Sequence, residues 1–531
     1  METLTIRLYD PGMTYIHRVG LAGLYMTLQA LDPNTNQPSC GKVGGSFKGL
    51  KWELKDDQIT IEWDPQHVSD FERLALKAFK IDKNGLIHFA GHQGIGIGDL
   101  QRVELHRAIL DSFLQHNQQN NIPKKTEKKT LTISLDNRQL IAQYRPFDPC
   151  KGYAHMTDLQ NFLNKNGSLC EAVEIKGWLY PGAAQRHEKH GQTTMEESPG
   201  RYLCLLFAPV ATCYYRLVHR TPDGNVDERF AVALCFPHVT NLEQYARSYR
   251  RYLESPVERL YADGLTDAAL LALVTLKAQG SLDQLGLNGC TVTTMGTVGW
   301  SSQQKTRTRF LVLEDVDPQV LETFERALGC FSNRLNFKQI RPQEKAKKSA
   351  EAENNYFVVA SPVRGLITDN LASGREWFLG FSGLMKSEKS AKRVFYERGG
   401  LQTMIDQTCW SDQADKLLVD AVHQALRRRY GALADRARQR GEEIPFDREY
   451  ERIRVGLMRA KNADTLRAEL AELFARAGRN PTLQREWQTI LPLFTGENWK
   501  RARDLVLLGL ASYKGQEADQ LTRDSDEETV S

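Results

Sequence analysis

The chain has 531 residues, too many for one ordinary hydrophobic core, so two or three domains are expected. Hydrophobic residues make up 41% and charged residues 26%, which excludes an intrinsically disordered chain. Its 70 basic and 66 acidic residues leave a net charge of +4, so any cationic surface has to arise from local segregation of charge.

The opening Met1-Glu2-Thr3-Leu4-Thr5-Ile6-Arg7 lacks a basic stretch followed by an apolar one, so no signal peptide is expected. No run approaches about eighteen apolar residues, so no membrane span is expected either. Leu4 to Leu8 alternates and ends at Asp10-Pro11-Gly12, a strand closed by a turn. Ile16, Gly20, Leu24, Leu28 and Leu31 recur at three- and four-residue steps, which predicts a helix to Leu31. Gly20 and Gly23 on it permit close approach of another backbone. Strands at Lys51 to Lys55 and Gln58 to Trp63 flank an Asp56-Asp57 turn, and a helix from Asp70 to Lys80 follows a Ser69/Glu72 capping box. After a polar stretch, LTISL, EIKGWLY, RYLCLLFAPVATCYYRLV and RFAVALCF read as strands, with a polar loop at 185–200. Helices are expected at 242–253, 267–278 and 318–328, and a hairpin at 290–314. Beyond residue 400, helices at 412–440, 447–460, 463–477, 481–494 and 497–513 follow one another, with stops at Gly441, Gly478 to Pro481 and Thr495-Gly496. Short connections make them antiparallel neighbours in a bundle.

These elements predict an α+β fold. Its parts are an N-terminal α+β part (1–116), a linker or mobile loop (117–129), a strand-rich body (130–340), a basic connecting region (341–400), a helical bundle (401–515) and a disordered acidic tail (516–531).

Catalytic signatures are scarce. The nine cysteines (Cys40, Cys150, Cys170, Cys204, Cys213, Cys235, Cys290, Cys330 and Cys409) form no C-x-x-C pair, and read as reduced, buried thiols of a cytosolic protein. His187-Glu188-Lys189-His190 lacks the H-E-x-x-H spacing, and His88 and His92 have no carboxylate cluster beside them. The glycines at 91, 94, 96 and 98 do not follow G-x-G-x-x-G, and 41–46 is no P-loop. The expectation is a binding protein without cofactor or metal. The alternatives are a metal-dependent nuclease built on these histidines and a helical docking scaffold without nucleic-acid contact.

Binding signals are richer. Lys42, Lys48 and Lys51 are interleaved with glycines before Trp52, a pattern that lets backbone amides and cations meet a phosphate backbone. Lys305, Arg307 and Arg309 alternate, so a strand would put all three on one face. Lys386, Lys389, Lys392, Arg393 and Arg398 crowd a stretch whose acids are Glu388 and Glu397. Arg427 and Arg428 continue the theme in the first bundle helix. Each cluster also fits a solvated loop, edge or helix face.

The run Asp10-Pro11-Gly12-Met13-Thr14-Tyr15-Ile16-His17-Arg18-Val19-Gly20-Leu21-Ala22-Gly23-Leu24-Tyr25-Met26-Thr27-Leu28 resembles the start of the large subunit of type I CRISPR Cascade complexes, in the MYXAN-type branch, which is similar to some type I-B systems including transposon-borne ones. The resemblance implies a cytoplasmic subunit that holds guide RNA, probes the motif flanking target DNA and stabilises the displaced strand, while base pairing reads the sequence. It implies as partners the other Cascade subunits and a helicase-nuclease or transposition protein. It also implies that the bundle resembles a small subunit, for which Met385 or Met404 is a candidate internal start.

Overall fold

The computed structural model describes residues 1–32, 43–47, 49–115, 120–122, 126–135, 138–148, 151–175, 195–218, 231–277, 289–295, 309–339 and 354–515. The chain forms two compact units, residues 1–321 with 333–360, and residues 322–332 with 361–531. The first mixes sheets and helices, the second is helical, and the fold is α+β.

In the first unit, strands β1 (Glu2–Arg7), β2 (Val43–Phe47), β3 (Leu50–Leu54) and β4 (Gln58–Trp63) form an antiparallel sheet in the order β1-β4-β3-β2. Alternation sets its faces: Trp52, Leu54, Ile59, Ile61 and Trp63 are buried, whereas Lys51 and Glu62 are exposed. Helix α1 (Tyr15–Leu31) is buried almost all round rather than on one face. The Ser69/Glu72 capping box does not form: helix α2 (Ser69–Ala78) is preceded by Val68 and has no side-chain cap. The helix also stops at Ala78, because Phe79–Ile81 becomes strand β5, paired with β6 (Ile87–Phe89). Helix α3 (Asp99–Leu110) follows. Of the segment 117–129, Asn120 and Ile122 are buried, and Lys129 opens strand β7 (Lys129–Leu135) against β8 (Arg138–Tyr144).

The largest departure from the sequence reading is at 199–211. Strand β10 (Glu196–Glu197), paired with β9 (Val173–Glu174), leads into helix α4 (Pro199–Ala211). A continuous apolar run looks the same for a buried strand and a buried helix. Here Pro199 at the first helical position marks the helix start. Only Cys213–Leu217 of that run is a strand, β11. It sits in the second sheet, order β13-β11-β12-β14-β15, with β12 at Val232–Pro237, β13 at Tyr261–Ala262, β14 at Cys290–Met295 and β15 at Phe310–Leu313. Helices α5 (Leu242–Glu254) and α6 (Leu265–Leu276) belong to the same unit. A third sheet orders β16-β17-β8-β7, with β16 at Arg334–Gln339 and β17 at Asn354–Val359.

α1 and α4 pack backbone to backbone. A Cβ on Gly20 would come within 1.8 Å of the Cys204 carbonyl oxygen, and one on Gly23 within 2.2 Å of that of Phe207. Their starts are tied as well. Thr14 donates its main-chain N–H to His17 Nδ1 at 3.1 Å, and His17 Nε2 faces Glu197 at 3.6 Å. Glu197 binds Arg201, whose Nη1 donates to the Pro11 carbonyl at 3.0 Å. Burial would raise the Glu197 carboxyl, but His17 and Arg201 hold it below its ordinary value. Pro11, Thr14 and His17 of the opening motif are therefore a lock between two helix starts.

In the helical unit, after α7 (Pro318–Cys330), run α8 (Pro362–Ala372), α9 (Glu388–Tyr396), α10 (Arg398–Gln407), α11 (Gln413–Arg440), α12 (Phe446–Arg459), α13 (Ala463–Ala477), α14 (Pro481–Ile490) and α15 (Trp499–Ser512). Their ends follow local chemistry. Asp412, Asn462 and Asn480 accept from the main-chain N–H of Ala414, Thr465 and Leu483, and Gly441 and Gly478 take φ of 66° and 77°. The core lies along α15, where Leu505 to Leu508 are fully buried. Asp504 beside them accepts from Gly380 N at 2.7 Å and Ser382 N at 2.9 Å.

Candidate nucleic-acid interface

The predicted cations fall on both units. Lys42, Lys48, Lys305 and Arg307 lie outside the described residues. Lys51 is exposed on β3, opposite Glu62 of β4 and Ser46 of β2. Arg309 precedes β15 rather than lying in it. Its main-chain N–H donates to Thr294 Oγ1 at 2.7 Å, its carbonyl accepts from Thr294 N at 3.0 Å, and the residue is exposed.

The second unit gathers the others on two helices. α9 follows Lys386 and carries Lys389, Lys392 and Arg393; the three lysines are exposed and Arg393 is half-buried. Ser387 caps it by accepting from Ser390 N at 3.1 Å, while Ala391 and Val394 turn into the core. Lys392 Nζ pairs with Glu388 at 2.8 Å, a contact that lowers the Glu388 carboxyl and raises the Lys392 ammonium. At such exposed positions a pair contributes little stability, and the Lys392 side chain keeps 68% of its accessible surface.

Arg427 and Arg428 are exposed on α11, but Arg429, which follows them in the sequence, is half-buried. Arg429 turns inward, where its Nε donates to Glu449 at 2.7 Å, and Arg452 holds the same carboxylate at 2.8 Å. Burial would raise Glu449, yet Arg452 and Arg429 bring it down to about 2. Arg427 also interacts with the Tyr513 hydroxyl, opposing the rise that burial imposes there. Helical period separates neighbours by about 100°, so an arginine triplet cannot act as one patch.

Two buried charge clusters escaped the sequence reading. Glu104, buried on α3, accepts from Arg216 Nη1 at 3.0 Å and from Arg107 and the Tyr356 hydroxyl, and Arg216 Nη2 reaches Asp111 at 3.1 Å. Burial pushes the Glu104 carboxyl up, but Arg216 and Arg107 overcome it and hold it at about 2. In the helical unit, Arg501 binds buried Asp415 through two nitrogens. No local signal marks such pairs, whose members are 112 and 86 residues apart.

Of the candidate histidines, His92 has structural work. His92 Nε2 is bonded to the Val210 carbonyl at 2.7 Å in the core, and burial lowers it to about 4. His88 is half-buried and also lowered, by burial first and then by Arg102 and Lys80. His187 and His190 lie outside the described residues. Among the described residues no group of three or more His, Cys, Asp or Glu side chains is arranged to hold a metal ion. The described cysteines are free thiols, but they are not uniformly buried: Cys204, Cys213, Cys235 and Cys290 are, Cys170 and Cys330 are half-buried and Cys409 is exposed. No helix among the described residues is long and apolar enough to cross a membrane.

Two regions of the chain match family models, and a relative matches nearly all of it. Residues 5–206, which hold α1 and the first part of α4, match the DevT N-terminal domain, and residues 406–531, which include α11 to α15, match the DevT C-terminal domain. The CRISPR-associated protein Cas8a1/Csx13 of Myxococcus xanthus (strain DK1622) is 30% identical over 557 residues, covering 99% of this chain and 91% of the relative. The class is thus a CRISPR-associated large subunit of the Cas8 type. Within it, the chain belongs to the Cas8a1/Csx13 family.

Proposed function

We propose that this chain is the large subunit of an RNA-guided type I surveillance complex, one that recognises the motif flanking the target and steadies guide RNA and the displaced DNA strand. In this reading it also presents a surface to a helicase-nuclease or to transposition proteins, and it acts by binding rather than by catalysis. The observation that carries the reading is the solvent exposure of Lys386, Lys389, Arg427 and Arg428 on the helical unit, and of Lys392 beside its surface partner Glu388, while Arg429, Arg452 and Arg501 are drawn into ion pairs. Cations left in water can replace condensed counterions on a phosphate backbone. Lys51 and Arg309 extend the proposed contacts to the first unit.

The test is affinity of the assembled complex for target DNA over a range of salt. Replacing Lys386, Lys389, Arg427 and Arg428 with serine is expected to weaken binding by about tenfold or more at low salt and to flatten the salt slope by several units. Unchanged affinity and slope would remove this surface from the proposed role.

A further inference from the structure

Tyr396, the last residue of α9, is 75% exposed, more than any other described aromatic side chain. Its neighbour Phe395 packs against Tyr450 at 5.5 Å between ring centres and lies under the Arg398 guanidinium at 4.4 Å. The ring of Tyr396 is left in water although burying such a ring is favourable. Lys389, Lys392, Arg393 and Tyr396 stand at i, i+3, i+4 and i+7, which places them along one face of the helix. Ala391 and Val394 occupy the opposite, buried face. Glu388 is bonded to Lys392, and Asp447 and Glu451 of α12 also act on that lysine, so the local positive field is tempered.

We propose that this face is a binding site for single-stranded nucleic acid, with Tyr396 stacking on one base while Lys389, Lys392 and Arg393 flank the backbone. The proposal deepens the nucleic-acid reading above and rests on it. An exposed ring beside cations is the chemistry of a stacking platform, which accepts any base because every base offers a flat face. A duplex keeps those faces covered by its own stacking, so it gains nothing from the ring. A protein partner is a poorer fit, because interface centres are depleted in charge and this ring is surrounded by it.

The test uses the full-length chain, with labelled oligothymidylate, oligouridylate and a DNA duplex as probes in fluorescence anisotropy. Tyr396→Ala is expected to weaken single-strand binding about tenfold at every salt concentration, because a stacking contribution does not depend on counterions. Tyr396→Trp is expected to restore it, and duplex binding is expected to be unaffected. Loss on either oligonucleotide supports the site, and the larger loss names the strand it prefers. An alanine variant that binds single strands like the parent, or loses duplex affinity equally, overturns the stacking role. In that outcome, weakening by Lys389→Ser with Lys392→Ser would still leave the broader cationic reading standing. A variant that binds normally but fails to join the other subunits overturns it in favour of a protein contact. A parent chain that binds the duplex but neither oligonucleotide overturns the stacking site, and one that binds none of the three probes sinks both readings.

Discussion

His106 uses both ring nitrogens, and in opposite senses. Its Nδ1 accepts from Ile87 N at 3.2 Å and its Nε2 donates to the Arg145 carbonyl at 2.7 Å, a pattern available only to the neutral ring. Burial lowers it to about 4, as it does His92. Both folded values lie below the unfolded value near 6.5, so the neutral form is favoured by folding. Their contribution is therefore present above about pH 6.5 and is lost as pH falls from there towards 4, on the order of 3 kcal/mol for each. The melting temperature is expected to drop by several degrees between pH 7.5 and 5 in differential scanning calorimetry. His106→Gln, which keeps an acceptor and a donor without titrating, is expected to flatten that drop; an equally steep profile in the variant would dismiss His106 as a source. Other residues are legible only in part. The sequence marks Arg427 to Arg429 as one cationic run, but which of them meets water depends on Glu449, twenty positions away.

The pair α1 and α4 shows how far an element can be read. Gly20 and Gly23 point to close backbone approach, and the approach exists, but the partner is a helix where alternate reasoning expects a strand. Apolar residues on every side of α4 erase the period that distinguishes the two states. The glycines decide the packing because any side chain there collides with main chain rather than with a flexible tip. Gly20→Val is expected to cost about 3 kcal/mol or more, read as a fall in the urea midpoint. A control such as Gly96→Ala, in a loop where an added Cβ meets nothing within 4 Å, should leave that midpoint nearly unchanged. Comparable midpoints for both variants would contradict the backbone contact. No local turn signal marks the third sheet's later strands: edge strand β16 takes its register from β17, and β17 pairs in turn with β8.

At the scale of the whole molecule, the helical unit is larger than its bundle. Trp377 and Phe378 pack on Trp410 with ring centres 5.7 and 5.5 Å away, Arg501 lies over Phe378 at 5.5 Å, and the turn at Gly380 to Ser382 is held by Asp504. A product begun at Met404 lacks all of these partners for Trp410, Arg501 and Asp504. A fragment of residues 404–515 is accordingly expected to lose on the order of 5 kcal/mol relative to residues 322–515, and to melt without a cooperative transition by circular dichroism. Cooperative melting of both at similar temperatures would show that the bundle stands without residues 322–403. By itself the sequence determined the α+β class, the likeness carried by the opening motif and, to within a residue or two, the helix limits beyond residue 412, except that α14 ends at Ile490 rather than at 494. Caps, prolines and glycines act within one turn of chain, so they are written locally. Only the tertiary structure decided that 199–211 is a helix, that Glu104 and Arg216 meet across 112 residues, and which cations remain in water. Burial and ion pairing depend on neighbours brought together by folding, and no local pattern records them.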